Sequence, residues 1–531
     1  CGLSPQDIGT FYDWFMTAPR AITLYTMGIN QSTSGSDKCN AIINVHLTSG
    51  KFNRPGCGPF SLTGQPNAMG GREVGGLANQ LAAHMNFEPD DLSRVARFWG
   101  TERLAQTPGL MAVELFDAIA RGEVKAVWIM GTNPAVSLPD SHAVCQALAG
   151  CPLVMVSEVM NDTDTSRFAH IRFPALGWGE KDGTVTNSER RISRQRAFLP
   201  APGEAKPDWW IVAQMAKRLG YGEAFAWQHP HEIFCEHAAL TAFENDGARA
   251  FNLHELAALT REEWDQLEPY QWPTGNFPRR NIVPVNPLSH GATVSALYPL
   301  ILNSGRIRDQ WHTMTRTGYV ARLMQHIAEP FVEVCPADAV RFSLCDGQLA
   351  RISSPRGVMV VRVRINDGIR EGEAFAPMHW NAEFSRQGKV NALVEGRCDP
   401  VSGQPESKQT AVRILPWQPA WQGELYAREW PEMPSSAYWW RKASRLTVAG
   451  DQPLLSWVMD YAGVRGWQLH VAQTGERSSV LAWHEGQLML GFWEGTALPA
   501  LAHTVIEAAF QSPPVLASER HALLNGQSVG K

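Results

Sequence analysis

Residues 63–75 have the sequence TGQPNAMGGREVG and place one arginine, Arg72, in a stretch rich in glycine. Glycines let a backbone approach a ligand closely, because they carry no Cβ. The guanidinium of Arg72 is a planar, permanently charged fork that suits a small oxyanion. The alternative is a structural salt bridge with Glu73 or another acid, since most arginines serve that purpose. The residues alone leave both interpretations open.

Two further segments offer groups to a flat, polar, phosphorylated ligand. Residues 27–31, MGINQ, follow an apolar run and end in carboxamides that can both donate and accept hydrogen bonds. The second segment is residues 179–191, GEKDGTVTNSERR. Its Lys181 could neutralise a phosphate, and Asp208 downstream of it could accept two hydrogen bonds from a guanine edge. Each feature could equally be an ordinary turn or a solvated charge.

A later pair of segments repeats this chemistry. Residues 303–312, NSGRIRDQWH, combine glycine, two arginines and a histidine after an apolar run. Residues 399–402, DPVS, are followed by Lys408. None of these segments identifies a function by itself.

The first half of the chain has an alternating pattern of helices and short apolar strands. Strands are predicted at 21–27, 126–130, 152–156 and 171–173, and helices at 6–17, 35–48, 91–98, 111–120 and 141–149. This rhythm predicts a parallel sheet covered on both faces. Ligands on such sheets bind at the carboxyl ends of the strands, here residues 27–31, 131–133 and 157–158. Residues 53–76 contain ten Gly or Pro in 24 positions, which indicates a long loop that is either a binding loop or disordered.

The second half is dominated by strands. They are predicted at 297–302, 331–334, 348–353, 358–365, 374–378 and 411–415, with one helix at 336–342. This pattern favours a β-barrel-like domain. The expected division is an α/β region at 1–290, a barrel at 291–416, a Trp/Pro-rich linker at 417–444 and a small α+β extension at 445–531. Within the first region, 220–290 is expected to form surface helices and a linker ending in Pro284 and Pro287.

Composition excludes several classes of protein. The chain has 531 residues and a net charge of −5, which gives no basic footprint for nucleic acid. We find no apolar run of the roughly 18 residues that a membrane span needs. The nine cysteines include no Cys-x-x-Cys pair, so no iron–sulfur or zinc site is expected within the chain. A serine hydrolase is disfavoured because no Gly-x-Ser-x-Gly elbow can be placed.

Taken together, the segments resemble one family. In order along residues 1–415 they are MGINQ (27–31), RPGCGPFSLTGQPNAMGGREVG (54–75), GTNPA (131–135), EKDGTVTNSERR (180–191), PGEAKPD (202–208), SGRIRDQWHTMTRTG (304–318) and DPVSGQPESK (399–408). They look like the dimethyl-sulfoxide-reductase superfamily of molybdenum enzymes, which carry two pyranopterin guanine dinucleotides. Within it the match is to nitrate reductases of the periplasmic and bacterial assimilatory kind.

The resemblance implies a fold, a cofactor and a set of residues. The fold is a parallel-sheet dinucleotide-binding domain, a double-psi type barrel and a small α+β extension, and the cofactor is Mo-bis(molybdopterin guanine dinucleotide). One guanine dinucleotide would lie near Met27, Gln31, Asn133, Ser157, Glu158, Lys181 and Asp208. The other would lie near Ser304, Gly305, Arg306, Trp311, His312, Thr313, His379 or Trp380, Asn391 and Lys408. Arg72 and Met69 match the substrate funnel beside molybdenum.

The chain also departs from the family pattern. Members have an N-terminal cysteine cluster for one [4Fe–4S] centre and a later cysteine that ligates molybdenum, and no cysteine here has either context. These metal ligands are therefore expected upstream of residue 1. Extra residues separate His379 from Asn391. Residues 416–531 resemble an extension of some assimilatory enzymes, after which a [2Fe–2S] module can follow.

The resemblance implies reduction of nitrate to nitrite for nitrogen assimilation. The first alternative is formate oxidation on the same scaffold, but Gly64-Gln65-Pro66-Asn67 and the ending at 72–75 have the nitrate-reductase form. The second alternative is a relative that kept the fold and lost the metal. The implied partner is an electron donor: ferredoxin, flavodoxin or an NADH-dependent subunit. The implied location is the cytoplasm, without a membrane or nucleic-acid partner.

Overall fold

A computed structural model describes residues 2–273, 281–286, 291–435, 438–442, 444–514 and 516–527. Its first part contains α1 (Pro5–Thr17), β1 (Ile22–Tyr25), α2 (Met27–Asn30), α3 (Gly35–Thr48), β2 (Gly58–Ser61) and α4 (Ala68–Glu73). Helix α1 begins at a capping box, in which Ser4 and Asp7 satisfy each other's backbone N–H groups. Strands β1 and β2 pair in parallel. The expected loop at 53–76 therefore contains a short strand and a short helix.

The α/β rhythm of the sequence appears in the next part. It contains α5 (Pro89–Trp99), α6 (Ala112–Ala120), β3 (Ala126–Met130), α7 (Pro134–Ser137), α8 (Ser141–Gly150), β4 (Leu153–Glu158) and β5 (Ile171–Pro174). Strands β3, β4 and β5 form a parallel sheet, whose apolar side chains pack against α6 and α8. The mixed α/β fold is thus confirmed. One expectation is wrong in detail: within the described residues β1 belongs to a separate two-stranded sheet, and MGINQ begins a helical turn instead of extending a strand.

Residues 183–273 add a second layer of helices and strands. They contain β6 (Gly183–Thr186), β7 (Arg191–Gln195), α9 (Asp208–Arg218), α10 (Pro230–Ala242), α11 (Arg261–Asp265) and β8 (Tyr270–Gln271). The expectation that the helices here lie on the surface is wrong for 230–272, because Phe251, Leu253 and Trp264 are completely buried around α10, while the linker ending in Pro284 and Pro287 stays a prediction. Much of this core lies on irregular backbone, so no periodic pattern of apolar residues predicted it. Pro287 lies outside the described residues.

Residues 300–416 form a closed six-stranded barrel. Its elements are β9 (Leu300–Gly305), α12 (Ala321–Met324), β10 (Phe331–Val334), α13 (Pro336–Arg341), β11 (Leu349–Ser353), β12 (Val358–Ile365), β13 (Glu373–Pro377) and β14 (Thr410–Pro416). The strand order is β10-β12-β11-β14-β9-β13. Aliphatic side chains from all six strands fill the interior, as the alternating sequence requires. The double-psi crossing stays a prediction.

The last part is an α+β unit, larger than the sequence indicated. It contains β15 (Trp421–Ala427), β16 (Tyr438–Lys442), β17 (Arg445–Gly450), α14 (Leu455–Val464), β18 (Gln468–Thr474), β19 (Arg477–His484), β20 (Gln487–Gly495), α15 (His503–Gln511) and α16 (Ala517–Leu524). The antiparallel sheet has the order β16-β17-β15-β20-β19-β18. The expected linker at 417–444 is therefore wrong, since β15 and β16 are strands of this sheet. Three of their aromatic residues, Trp421, Tyr438 and Trp440, are core residues, because they are 3–4% exposed.

None of the helices in the described residues is long and apolar enough to cross a membrane.

Candidate functional site

Lys408 places a positive charge at the end of β9. Its ammonium donates to the carbonyl oxygen of Ser304 at 2.6 Å. Burial, together with the nearby charge of Arg306, lowers the pKa of Lys408 to about 8. Arg306 itself lies over the ring of Trp311, with 5.3 Å between its guanidinium carbon and the ring centroid. In the described part of the chain neither cation has an ion-pair partner, an arrangement that favours an anionic ligand.

Two neutral histidines stand beside these cations. His379 is completely buried, donates from Nδ1 to the carbonyl oxygen of His312 at 2.6 Å, and accepts at Nε2 from the Ile307 N–H at 3.0 Å. This pattern fixes the Nδ1–H tautomer. Burial lowers the pKa of both His379 and His312 to about 4. His312 therefore accepts at Nε2 from the amide of Gln65, 3.2 Å away. Hydrogen bonding rather than charge positions this pair.

A buried network joins the α/β part to the barrel. The Asn133 carbonyl oxygen accepts from the Thr165 hydroxyl at 2.7 Å and from the Thr165 N–H at 3.2 Å. The Asn133 amide donates to the Thr313 hydroxyl at 3.1 Å. Asn381 donates to the Thr313 carbonyl oxygen at 2.7 Å. Because every partner is buried, the network fixes the distance between the α/β part and the barrel, which form the two sides of a cleft.

Gln65, Asn133, His312 and Thr313 from these contacts line a polar cavity of about 290 Å³. Its walls come from the loop after β3, the end of β4 and the segment 311–317. They are Gln65, Gly131, Thr132, Asn133, Ser137, Glu158, Trp311, His312, Thr313, Thr315, Arg316 and Thr317. The cavity therefore lies at the carboxyl ends of β3 and β4, where the sequence predicted a ligand.

Several residues expected near a cofactor are engaged elsewhere. Lys181 and Asp208 pair with each other at 2.8 Å. The Ser157 hydroxyl accepts from the Trp128 indole at 2.9 Å, and the Asn391 amide donates to the Val136 carbonyl oxygen at 2.8 Å.

Four more of the expected residues, Met27, Gln31, Trp380 and Gly305, each have a different local environment. Met27 and Gln31 are half-buried around α2. Trp380 is completely buried in an apolar cluster with Met314, Met324 and Phe384, whereas His379, equally buried, is hydrogen-bonded to the backbone of His312. A Cβ on Gly305 would come within 2.6 Å of the Phe375 ring, so packing requires this glycine.

Arg72 lies on α4 with its side chain exposed, and Met69 is half-buried on the same helix. The neighbouring carboxylate of Glu73 turns inward and accepts from the Thr186 hydroxyl at 2.7 Å and the Trp272 indole at 2.9 Å. Burial raises the pKa of Glu73. The salt bridge with Glu73 is therefore not formed, and Arg72 has no ion pair with any described residue. A Cβ on Gly70 would meet the Asn67 side chain at 2.1 Å, which shows how tightly this loop folds.

Sequence reasoning named Gln65 only as part of a motif, without a contact at the site, and it missed Asp164 and Thr165. Asp164 is 5% exposed and accepts at both oxygens from the Ala382 N–H, and it pairs with Lys389 at 3.2 Å. The run DTDTS at 162–166 is dense in short hydrogen-bonding side chains, and this was the available signal.

Among the residues that the structure describes, no group of three or more His, Cys, Asp or Glu could hold a metal ion. The donor set instead fits a large anionic ligand with polar edges. Within the described residues neither Lys408 nor Arg306 has an acidic partner. The cavity that Trp311 lines presents hydroxyl and amide groups together with the charged side chains of Arg316 and Glu158.

Two protein families match the chain: molybdopterin oxidoreductase over residues 9–218, and molydopterin dinucleotide binding domain over residues 300–411. A nitrate reductase of Klebsiella oxytoca is 64% identical, covering 100% of this chain and 63% of that protein. A nitrate reductase of Shewanella frigidimarina is 42% identical over 81% of this chain and 50% of its own length. The chain thus spans half to two thirds of these relatives. Acetylene hydratase from Pelobacter acetylenicus shares the fold, with a TM-score of 0.59, 15% identity, and coverage of 78% of this chain and 63% of that one.

Proposed function

The chain belongs to the molybdopterin oxidoreductase family, and we propose that the whole protein reduces nitrate to nitrite: NO₃⁻ + 2e⁻ + 2H⁺ → NO₂⁻ + H₂O. The relative with 64% identity along the entire chain supports the choice of substrate. The structural observation that carries the proposal is Lys408, a half-buried ammonium with no acidic partner among the described residues. It lies near Arg306, whose guanidinium stacks on the cavity-lining ring of Trp311.

The cofactor in this proposal is Mo-bis(molybdopterin guanine dinucleotide), which supplies oxygen-atom transfer and two-electron chemistry when bound. Lys408 and Arg306 would bind phosphate oxygens, because both are cations without acidic partners. Asn133 and Thr313 would present hydroxyl and amide edges to the ligand, held in place by Thr165.

The other cofactor-binding residues remain part of the proposal. Lys181 and Asp208 would separate to receive a phosphate and a guanine edge, since each now satisfies the other. Ser157, Glu158 and Asn391 would shape the cleft, and Met27 and Gln31 would contribute from α2.

Arg72 is the proposed substrate ligand. It is exposed, lacks an ion pair among the described residues, and projects from a loop whose neighbouring acid is held inward. A guanidinium can hold two oxygens of the planar nitrate ion, and Met69 on the same helix would provide an apolar wall. The chain itself thus binds and orients the anion.

The wider biological setting is proposed on the same basis. We place the enzyme in the cytoplasm, with a [4Fe–4S] centre that this chain does not ligate, and with a ferredoxin, a flavodoxin or an NADH-dependent subunit as electron donor. The role in nitrogen assimilation follows from the resemblance of its loops to assimilatory enzymes.

The test measures both candidate activities in the purified full-length holoprotein. We expect nitrite formation from nitrate with a reduced dye, and no dye reduction with formate. Arg72→Ala should abolish most nitrate turnover per molybdenum. Arg322→Ala is the matched control, because Arg322 is also exposed on a short helix. Formate oxidation without nitrate reduction would replace the proposal with formate dehydrogenase, and a protein without molybdenum would favour a metal-free relative.

A further inference from the structure

We propose that the C-terminal α+β unit, residues 421–527, positions the cofactor cleft through the loop 379–391, called here the bridging loop. Neither family match reaches this unit, because the second one ends at residue 411. The inference rests on the cofactor lying in the proposed cleft, and is independent of which substrate is reduced.

The bridging loop adds to the free edge of the unit's sheet. Strand β16 is at the edge, and Ser385 forms an antiparallel bridge with Trp440. The Arg386 N–H donates to the Trp439 carbonyl oxygen at 2.9 Å, and the Arg441 N–H donates to the Phe384 carbonyl oxygen at 2.8 Å. The loop therefore satisfies backbone groups that an edge strand otherwise leaves to solvent.

Side chains reinforce this contact. The Arg441 guanidinium lies over the rings of Trp430, Phe384 and Tyr319, at 5.5, 5.8 and 5.7 Å from their centroids. It is also 3.9 Å from the carboxylate of Glu383 in the loop. Arg441 thus joins the unit to the loop and to the segment after the cleft residues.

The barrel surface completes this junction. The side chains of Leu349 and Val360 on the barrel pack with Tyr438, Trp440 and Ala449 of the unit. The interface is therefore apolar at its centre. Close packing of these side chains holds the barrel and the unit in one relative position.

Other residues of the same loop hold the segment that lines the cavity. His379 holds the backbone of His312, and Asn381 holds the backbone of Thr313. Asn391 binds the Val136 carbonyl oxygen in α7, next to Asn133. A shift at Ser385 or Arg386 therefore reaches cavity-lining residues through a short, largely buried chain of hydrogen bonds.

The experiment compares three variants of the full-length holoprotein. Arg441→Ala removes the stacking contacts on the unit's side. Gly388→Ala acts within the loop, because a Cβ at this position would come within 2.5 Å of the Ser385 hydroxyl. Arg465→Ala is the matched control, since Arg465 also stacks on two aromatic rings of the unit, Tyr461 and Trp467, but does so on α14.

Two readouts are measured: amide hydrogen exchange in peptides covering 306–317 and 379–391, and the rate at which molybdenum and guanine nucleotide leave the protein on dilution. Arg441→Ala should raise exchange in both peptides and speed cofactor loss about tenfold, the factor that cation–π contacts of this kind can together supply. Gly388→Ala should change both readouts in the same direction, and Arg465→Ala should change neither.

The inference is overturned if Arg441→Ala and Gly388→Ala leave the exchange of 306–317 unchanged, or if Arg465→Ala has an equal effect. An isolated protein without molybdenum would count against the proposed function instead. The exchange data would still decide whether the unit controls the cleft.

Discussion

The ionisation of Lys408 should make the free energy of unfolding depend on pH. Its pKa is lowered from 10.5 to about 8, so the folded state holds fewer protons on this group than the unfolded state between those pH values. The free energy of unfolding must then rise with pH across this window. The full shift corresponds to about 3 kcal/mol, of which about 2 kcal/mol should appear by pH 9.5.

The assay is urea unfolding of cofactor-free protein at pH 7.0 to 9.5, comparing the wild type with Lys408→Met. Relative to this variant, the wild type should gain about 2 kcal/mol over that interval. Lys38→Met is the control, because it removes a half-buried lysine that donates to a hydroxyl at 2.9 Å. At pH 7 inorganic pyrophosphate should stabilise the wild type and not Lys408→Met, since an anion beside Lys408 favours its charged form. Parallel pH curves for wild type and Lys408→Met, or equal stabilisation of both by pyrophosphate, would refute the reasoning.

Three further predictions concern single residues. Arg72→Lys keeps the charge and loses the fork, so kcat/KM for nitrate should fall by about 10- to 150-fold with molybdenum content unchanged. The control variant Arg322→Ala should have normal nitrate kinetics. Unaltered kinetics per molybdenum in Arg72→Lys would remove Arg72 from the site. Burial lowers the pKa of His379 from 6.5 to about 4, so between these pH values the unfolded state binds more protons than the folded state. The free energy of unfolding should therefore fall as the pH drops from 6.5 towards 4. Urea unfolding at pH 7 and pH 5 should show a smaller loss of this free energy for His379→Asn than for the wild type. Glu494 accepts from the Leu454 N–H at 2.8 Å at the start of α14, so Glu494→Ala should cost about 1 kcal/mol in the same assay with cofactor content unchanged, and a loss of cofactor would contradict this local role.

The sequence determined the elements whose residues carry their own signal. All six barrel strands were predicted within three residues of their observed bounds, because each is a short apolar run between turn residues. The parallel pairing of β3 and β4 followed in the same way from strands separated by a helix, and β5 extends the same parallel sheet. The cavity at the ends of β3 and β4 was also foreseen, since the geometry of parallel sheets places ligands there.

The tertiary structure decided what depends on distant partners. Strand β16 had the composition of a linker, and its strand state comes from pairing with β17 and with Ser385, more than 50 residues earlier in the chain. Arg72 and Glu73 are adjacent in sequence, but only the positions of Thr186 and Trp272 show that the acid turns inward and leaves the arginine unpaired. The network around Asn133 likewise needs partners from two domains.

The same distinction applies to charge. The sequence contains Lys408 and Ser304 but cannot say that they meet, because about a hundred residues separate them and their contact depends on closure of the barrel between β9 and β14. Local propensity fixes which segments become strands, since it acts over a few residues. Burial and hydrogen bonding between remote segments fix the pKa of Lys408, the tautomer of His379 and the shape of the cleft, since these depend on what the folded chain brings together.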